Sequence, residues 1–428
     1  MEPHPSTDEE PTTDEEPTPA PLLELRDGLP PVVSAEDGLR EVASALATGT
    51  GPIAVDAERA SGYRYSARAY LIQLRREGAG SFLVDPIDIV DFDPLTQVLA
   101  ETEWILHAAT QDLPCLTEIG LHPGALFDTE LAGRLLGYPR VGLATLVETV
   151  LGFRMRKEHS AVDWSTRPLP SPWLEYAALD VEVLPELRDA LAEELVAAGK
   201  ADWAAQEFAA LLHHRPAVRR DPWRRTSGMH KARGRRALAA VRALWTVRDQ
   251  IAADRDVTPG RILPDSAIVA AANALPRDRR ALLTTPGFKG RGAERYSSRW
   301  VEALAEARSL PDADLPPVAA RFDGPPPPRA WADKNPLAAA RLQQARADLL
   351  ALSEERSLPV ENLLTPDSVR RVLWEPPAAA DDAWEPAVAD RLRDLGAREW
   401  QVELTTPLLS RALREARPAQ PETADTGP

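Results

Sequence analysis

The chain contains a single cysteine, Cys115, which excludes a disulfide framework and any multi-cysteine zinc site. No apolar run approaches the roughly 18 uninterrupted residues of a membrane-spanning helix. The N-terminus, MEPHPSTDEEPTTDEEPTPA, lacks the basic-then-apolar pattern of a signal peptide. Lysine is scarce, 5 against 45 arginines, so cationic surface here means guanidinium. These absences lead to the expectation of a soluble, cytoplasmic protein. Length and composition are ordinary: 428 residues, 44% hydrophobic and 27% charged, enough for two to four domains at roughly 150 residues each.

The net charge of -16 argues against a polyanionic partner, but it is unevenly spread. Residues 1–20 hold seven acids and no Lys or Arg, whereas 213–236, HHRPAVRRDPWRRTSGMHKARGRR, hold nine Lys/Arg against Asp221. Residues 277–299 hold seven basic and two acidic side chains. A partner senses charge within a Debye length of about 8 Å, so the local excess matters more than the total.

Residues 1–21, acidic and proline-rich, are expected to be a disordered tail, as are 418–428. From 22 to 212 short apolar runs alternate with helical ones. PIAVDAE (52–58), YLIQLR (70–75), GSFLVD (80–85) and EWILHAA (103–109) read as strands. LREVASALAT (39–48), FDPLTQVLA (92–100), TELAGRLLG (129–137) and GLATLVETVLG (142–152) read as helices. This is an α/β pattern, a mixed sheet with flanking helices, closed by a long helix that Pro185 should kink or divide. Beyond 212 the strand signal disappears. A basic linker and helical domain occupy 213–310, a proline-rich extended linker 311–334, and a second helical domain 335–417. The two helical stretches look like copies: each has a long helix, a turn containing proline, two apolar residues (Ile262-Leu263, Leu363-Leu364) and a Pro-Asp-Ser helix start.

Candidate chemistry lies in the first domain. Asp56 and Glu58, two apart on a strand, project from one face. Asp112 opens a helix, and Tyr176 and Asp180, four apart, share a helical face. Four carboxylates could neutralise two hard divalent cations, Mg²⁺ or Mn²⁺, which prefer oxygen ligands. Two such ions about 3.5–4 Å apart would activate a water and stabilise the leaving oxygen in phosphodiester hydrolysis, with a tyrosine hydroxyl orienting the water. In a chain with 66 acids, pairs at these spacings are also common as plain surface charge.

The ordered set VDAE, HAATQD-xx-CL, FDTELAGRLLG and DWSTRPLP followed by YAALDVEVLPEL resembles the bacterial ribonuclease D family. That family belongs to the DEDD 3′–5′ exonucleases with a ribonuclease-H-like fold, and the resemblance spans 22–212. The helical domains resemble HRDC modules, the second more weakly. The fold implied is an α/β ribonuclease-H-like exonuclease domain followed by two small all-α HRDC-type domains. Carried over residue by residue, the resemblance implies that Asp56, Glu58, Asp112 and Asp180 are metal ligands and that Tyr176 is the tyrosine of the DEDDy subgroup. It also marks His107, at a motif position commonly Asn or His. Ala57 stands where relatives often have Thr, on the opposite face from the acids. The activity implied is removal of single nucleotides from RNA 3′ ends with two divalent cations. The partner implied is RNA with a single-stranded 3′ end, tRNA precursors first, and the chain is expected to act as a monomer away from membranes. The rival readings are a DNA 3′–5′ exonuclease acting on single-stranded DNA and a non-catalytic RNA-binding protein.

Nucleic-acid contacts are expected from Arg219, Arg220, Arg224, Arg225, Lys231 and Arg233, from Lys289 and Arg291 in the turn PGFKGRG, from Arg167 in DWSTRPL, and from His107. Trp223, Phe288 and Tyr296 are candidate stacking platforms among those arginines. Trp164 reads as loop packing, Asp128 as a helix cap, Cys115 as core, and His213 and His214 as surface or linker residues.

Overall fold

The computed structural model describes residues 19–156, 161–216, 218–319, 324–378 and 383–417, without the side chain of Arg291. The tails expected over residues 1–18 and 418–428 lie outside the described residues. Pro21 does not: its carbonyl accepts from the Arg154 amide, so the fold begins there.

Six strands form one sheet in the order β1-β4-β3-β2-β5-β6. They are β1 (Val32–Val33), β2 (Thr50–Arg59), β3 (Ala69–Glu77), β4 (Gly80–Val84), β5 (Glu103–Leu106) and β6 (Ala125–Asp128). β2, β3 and β4 run antiparallel, whereas β1 joins β4, and β5 and β6 extend from β2, in parallel. All four strand expectations correspond to strands, EWILHAA only as far as Leu106. β1 and β6 escaped notice because two and four residues carry too little periodicity to read.

Side chains two apart on a strand share a face, and this alternation sorts the sheet. Ile53, Val55, Ile72 and Leu74 enter the main core with Leu39 and Leu46 of α1 (Glu36–Thr48), Leu95 and Leu99 of α2 (Asp93–Ala100), and Leu116 of α3 (Leu113–Glu118). The same core takes Leu135 of α4 (Thr129–Leu136) and Leu146 of α5 (Leu143–Leu146). On the other face Leu71 and Leu83, joined by Tyr70 where the β2–β3 pairing skips from Leu71 to Ala69, pack with Leu174, Ala177 and Ala178 of α6 (Ser171–Glu182) and with the fully buried Trp164. Val183 breaks the long closing helix, and α7 (Leu184–Ala197) begins with Pro185 in its first turn, where a missing N–H leaves no bond unmade. α8 (Ala201–Leu211) completes the domain.

The two helical modules repeat one plan. α9 (Gly234–Asp254), α10 (Pro259–Ile262) and α11 (Asp265–Ala274) precede α12 (Arg279–Thr284), α13 (Arg291–Arg295) and α14 (Ser297–Ser309). α15 (Trp331–Lys334) leads into α16 (Pro336–Arg356), α17 (Val360–Leu363), α18 (Pro366–Trp374), α19 (Trp384–Asp394) and α20 (Glu399–Glu415). α9 and α16 are both 21 residues long, and α10 and α17 both 4. The turn after each long helix contains a non-glycine residue in the left-handed region, Asp256 at φ 45° and Ser357 at φ 48°. The tract expected as an extended linker is only partly so. Leu315 is buried with the first module, and Trp331 is fully buried in the second, its indole N–H donating to Pro326 O.

Candidate active site

The sheet brings the acids together from three separated stretches. Asp56 stands opposite Gln73 and Glu58 opposite Leu71, so both share the face that α6 covers. α6 supplies Asp180, and carboxylate oxygens of Asp56, Glu58 and Asp180 all lie within 4.8 Å of one another. Asp112, the residue before α3, is buried in the same neighbourhood but outside that trio, and its Oδ1 is 3.7 Å from Arg59 Nη2. Tyr176, one turn before Asp180, hydrogen-bonds its carboxylate. Asp56, His107, Tyr176 and Asp180 line a cleft of about 170 Å³ with Leu143 and Leu184.

Crowded carboxylates with little water resist ionisation. Burial, then the charges of Asp56, Asp180 and Asp112, push Glu58 up to about 10. Burial raises Asp56 to about 6 against a backbone hydrogen bond and Arg59. Burial and the neighbouring Asp56 lift Asp112 and Asp180 well above the usual carboxylate range. Burial and mutual repulsion therefore favour protons on these carboxyls while no counter-charge is present. A divalent ion, by supplying the missing positive charge, must expel them. Tyr176 is also raised, by burial and then by Asp180, so its hydroxyl is neutral and can donate. Oxygen donors alone, clustered and short of counter-charge, are the ligand set that Mg²⁺ or Mn²⁺ takes.

The surrounding polar groups are held in place by short-range bonds. Burial pushes His107 down to about 4, and its Nδ1 is 2.9 Å from Thr129 Oγ1, so a neutral ring lines the cleft. Asp128 caps α4 through the amides of Glu130 and Leu131, and also accepts from the amides of Ala108 and Ala109. It thereby ties the end of β5 to β6 beside Asp112. Cys115 is buried, its thiol pushed up to about 12 by burial and Asp112.

Several expected nucleic-acid contacts have other employment. Arg167 makes a bidentate pair with Asp85, at 2.5 and 2.8 Å, and donates to the carbonyls of Trp164, Thr166 and Tyr70. It fastens the loop before α6 to the sheet, which corrects the phosphate-contact expectation. Arg224 lies over the Trp223 ring and donates to Pro317 O and Val318 O, holding the linker. Trp223 and Phe288 are 4% and 0% exposed, core anchors rather than stacking platforms. Tyr296 packs edge-on against Trp300, and its hydroxyl accepts from Arg255. Arg219, Arg220, Arg225, Lys231, Arg233 and Lys289 have exposed side chains, as do His213 and His214. Arg291's side chain lies outside the described residues. The residue missed by sequence reasoning is Arg59: its adjacency to Glu58 was the available signal, but only the approach of β2 to the Asp112 segment reveals its partner.

A 3′–5′ exonuclease family model matches residues 30–196, an HRDC domain model 237–304, and a 3′ to 5′ exonuclease C-terminal domain model 324–413. The crystal structure of a protein from Bifidobacterium adolescentis matches with TM-score 0.84 and 36% identity, over 92% of this chain and 99% of that one. Escherichia coli RNase D, an exoribonuclease involved in structured RNA processing, shares the fold with TM-score 0.66 and 24% identity, over 90% and 99%. A sheet that gathers acids inside the matched exonuclease segment defines a metal-dependent 3′–5′ exonuclease. Ribonuclease D of Gluconacetobacter diazotrophicus is 34% identical over 333 residues, which are 72% of this chain and 83% of the relative. That of Acidiphilium cryptum is 33% identical over 275 residues, 62% and 69%. The chain belongs to the ribonuclease D family.

Proposed function

We propose that the chain shortens RNA from its 3′ end, one nucleotide at a time, with Asp56, Glu58, Asp112 and Asp180 holding two divalent cations, Mg²⁺ or Mn²⁺. The observation that carries this reading is the convergence of three carboxylates from β2 and α6 within 4.8 Å. When bound, the cations activate a water and offset charge on the leaving oxygen. Tyr176, neutral and hydrogen-bonded to Asp180, orients that water toward phosphorus. Water's oxygen forms the new bond to phosphorus as the bond to the 3′-oxygen of the preceding nucleotide breaks. The products are a nucleoside 5′-monophosphate and a new 3′-hydroxyl. The cleft beside Tyr176 brings the terminal phosphodiester against the acids, and membership of the ribonuclease D family supports 3′-extended structured RNA, such as tRNA precursors, as the substrate. Arg219, Arg220, Arg225, Lys231, Arg233 and Lys289 supply exposed charge for the RNA backbone.

Purified protein is incubated with 3′-extended tRNA or matched single-stranded DNA, in Mg²⁺, Mn²⁺ or EDTA. Stepwise release of 5′-monophosphates from the tRNA, abolished by EDTA, is expected. Faster shortening of DNA would move the reading to a DNA exonuclease, and binding without shortening to a non-catalytic binder.

A further inference from the structure

Arg59 has no place in the roles given above, yet its guanidinium faces one of the four acids. It follows Glu58 at the end of β2, where pairing with β3 slips from Glu58 opposite Leu71 to Arg59 opposite Ala69. Its side chain is 28% exposed, so it reaches both the pocket and solvent, and its Nη2 is 3.7 Å from Asp112 Oδ1. The three carboxylates that converge are the ones without this partner, and the fourth, Asp112, is the one that faces the guanidinium.

A guanidinium and a divalent cation cannot both occupy one face of a carboxylate, because like charges at such separations repel strongly in a partly desolvated pocket. A cation reaching Asp112 must therefore push Arg59 away. The Arg59 guanidinium, 3.7 Å from Asp112, is a positive charge that partly offsets the repulsion among the acids while no cation is bound. Counted formally, four carboxylates with Arg59 carry three negative charges, and two divalent cations turn that into one positive charge. One phosphodiester is the anion that balances it. The planar fork of arginine suits phosphate oxygens, and a partly exposed side chain can turn toward them without unfolding β2.

We propose that Arg59 is a catalytic residue with two stations: on Asp112 before a cation binds there, and on the substrate phosphodiester afterwards. This rests on the reading of the acidic pocket as a cation site. Arg59 then sets the cation concentration at which Asp112 is engaged and returns its charge to the RNA.

The test is a Mn²⁺ titration of the full chain, followed by calorimetry and by the EPR signal of free Mn²⁺, for wild type, Arg59→Gln and Arg59→Lys. Thermal unfolding is recorded alongside. The proposal expects Arg59→Gln to bind its weaker Mn²⁺ roughly five- to tenfold more tightly than wild type, the scale of removing one competing charge pair. Arg59→Lys should stay near wild type, because the competing charge is kept. On 3′-extended RNA, Arg59→Gln should lose turnover about tenfold or more despite its better-filled cation sites. Identical isotherms for all three proteins overturn the proposal, as does weaker Mn²⁺ binding or loss of folding in Arg59→Gln, either of which makes Arg59 a support of the fold. Failure of wild type to bind Mn²⁺ at all overturns the cation-site reading instead.

Discussion

The two helical modules are built alike and attached differently. Both meet the exonuclease domain through the turn after their long helix, at the residue in left-handed conformation. In the first module that residue is Asp256, whose carboxylate accepts from the amides of Tyr65 and Ser66 and from the Tyr70 hydroxyl. Asp249 adds a bond from the Tyr65 hydroxyl, and Arg261 lies over the Tyr63 ring. This contact is polar and partly wet, and it falls on the segment joining β2 to β3, beside Arg59. In the second module Ser357 presses its carbonyl against Gly137, while buried Lys200 donates to Leu135 O and Arg356 O at 2.7 Å. Trp400 stacks on Trp203 at 4.9 Å and donates to the buried Glu207, and Leu358 and Leu363 join the exonuclease core itself. The same backbone device thus serves a separable attachment near the chemistry and a fused one far from it. Buried apolar area decides which, since exposed polar bonds contribute little net free energy.

The largest expected effect leaves both attachments alone. Asp180→Asn should cut turnover on 3′-extended RNA at least about a thousandfold while RNA affinity and melting temperature stay near wild type, because a lost metal ligand acts on the transition state. Trp400→Ala should destabilise by about 3–5 kcal/mol, measured by urea unfolding, through the cavity left and the lost indole bond to Glu207, which keeps its pair with Arg398. Gly137→Ala is subtler: φ is 83° and a Cβ would come within 2.5 Å of Ser357 O, so about 1–3 kcal/mol should be lost in the same assay. Asp256→Asn should cost only about 0.5–1 kcal/mol of stability. It should nonetheless raise proteolytic cleavage around residues 213–233, because the first module then separates more often.

The smallest effect concerns pH. Burial opposes ionisation of Asp256, but bonds from Ser66 and Tyr70 and the charge of Arg68 outweigh it, leaving its pKa below the usual carboxylate range. A depressed folded-state pKa means stability present above the ordinary value of about 3.9 and lost as pH falls through the folded one. Acidification below about pH 4 should therefore loosen the first attachment before the second, where Glu207 is paired with Arg398 and most of the contact is Trp203–Trp400 stacking with Leu358 and Leu363 in the core. Limited proteolysis across pH 3–6 reads this directly, and simultaneous release of both modules would break the contrast.

The expected fold class was legible because its signals are local. Alternation in PIAVDAE and YLIQLR sets strand faces, and the four-residue spacing of Tyr176 and Asp180 sets a helix face. Those same periods place Asp56 beside Glu58 and Tyr176 beside Asp180 before any tertiary contact exists. The two long helices and their matching turns were legible for the same reason. Arginines were harder to read, since a guanidinium looks alike whether it meets RNA or a carbonyl. Arg167 and Arg224 find partners 82 and 93 residues away, and no window of sequence contains those distances. Trp223 and Phe288 lie among basic residues and yet are buried, because a neighbourhood in sequence need not be one in space.

The chain by itself determined which side chains could share a face, because strand and helix repeats are properties of backbone geometry over a few residues. Only the tertiary structure decided that Asp180 would meet Asp56 and Glu58, that Asp112 would face Arg59, and that one module would be fused where its twin is tethered. Those outcomes depend on sheet order and on helices crossing it, which bring together residues up to 124 positions apart in the pocket and about 190 apart at the module contacts.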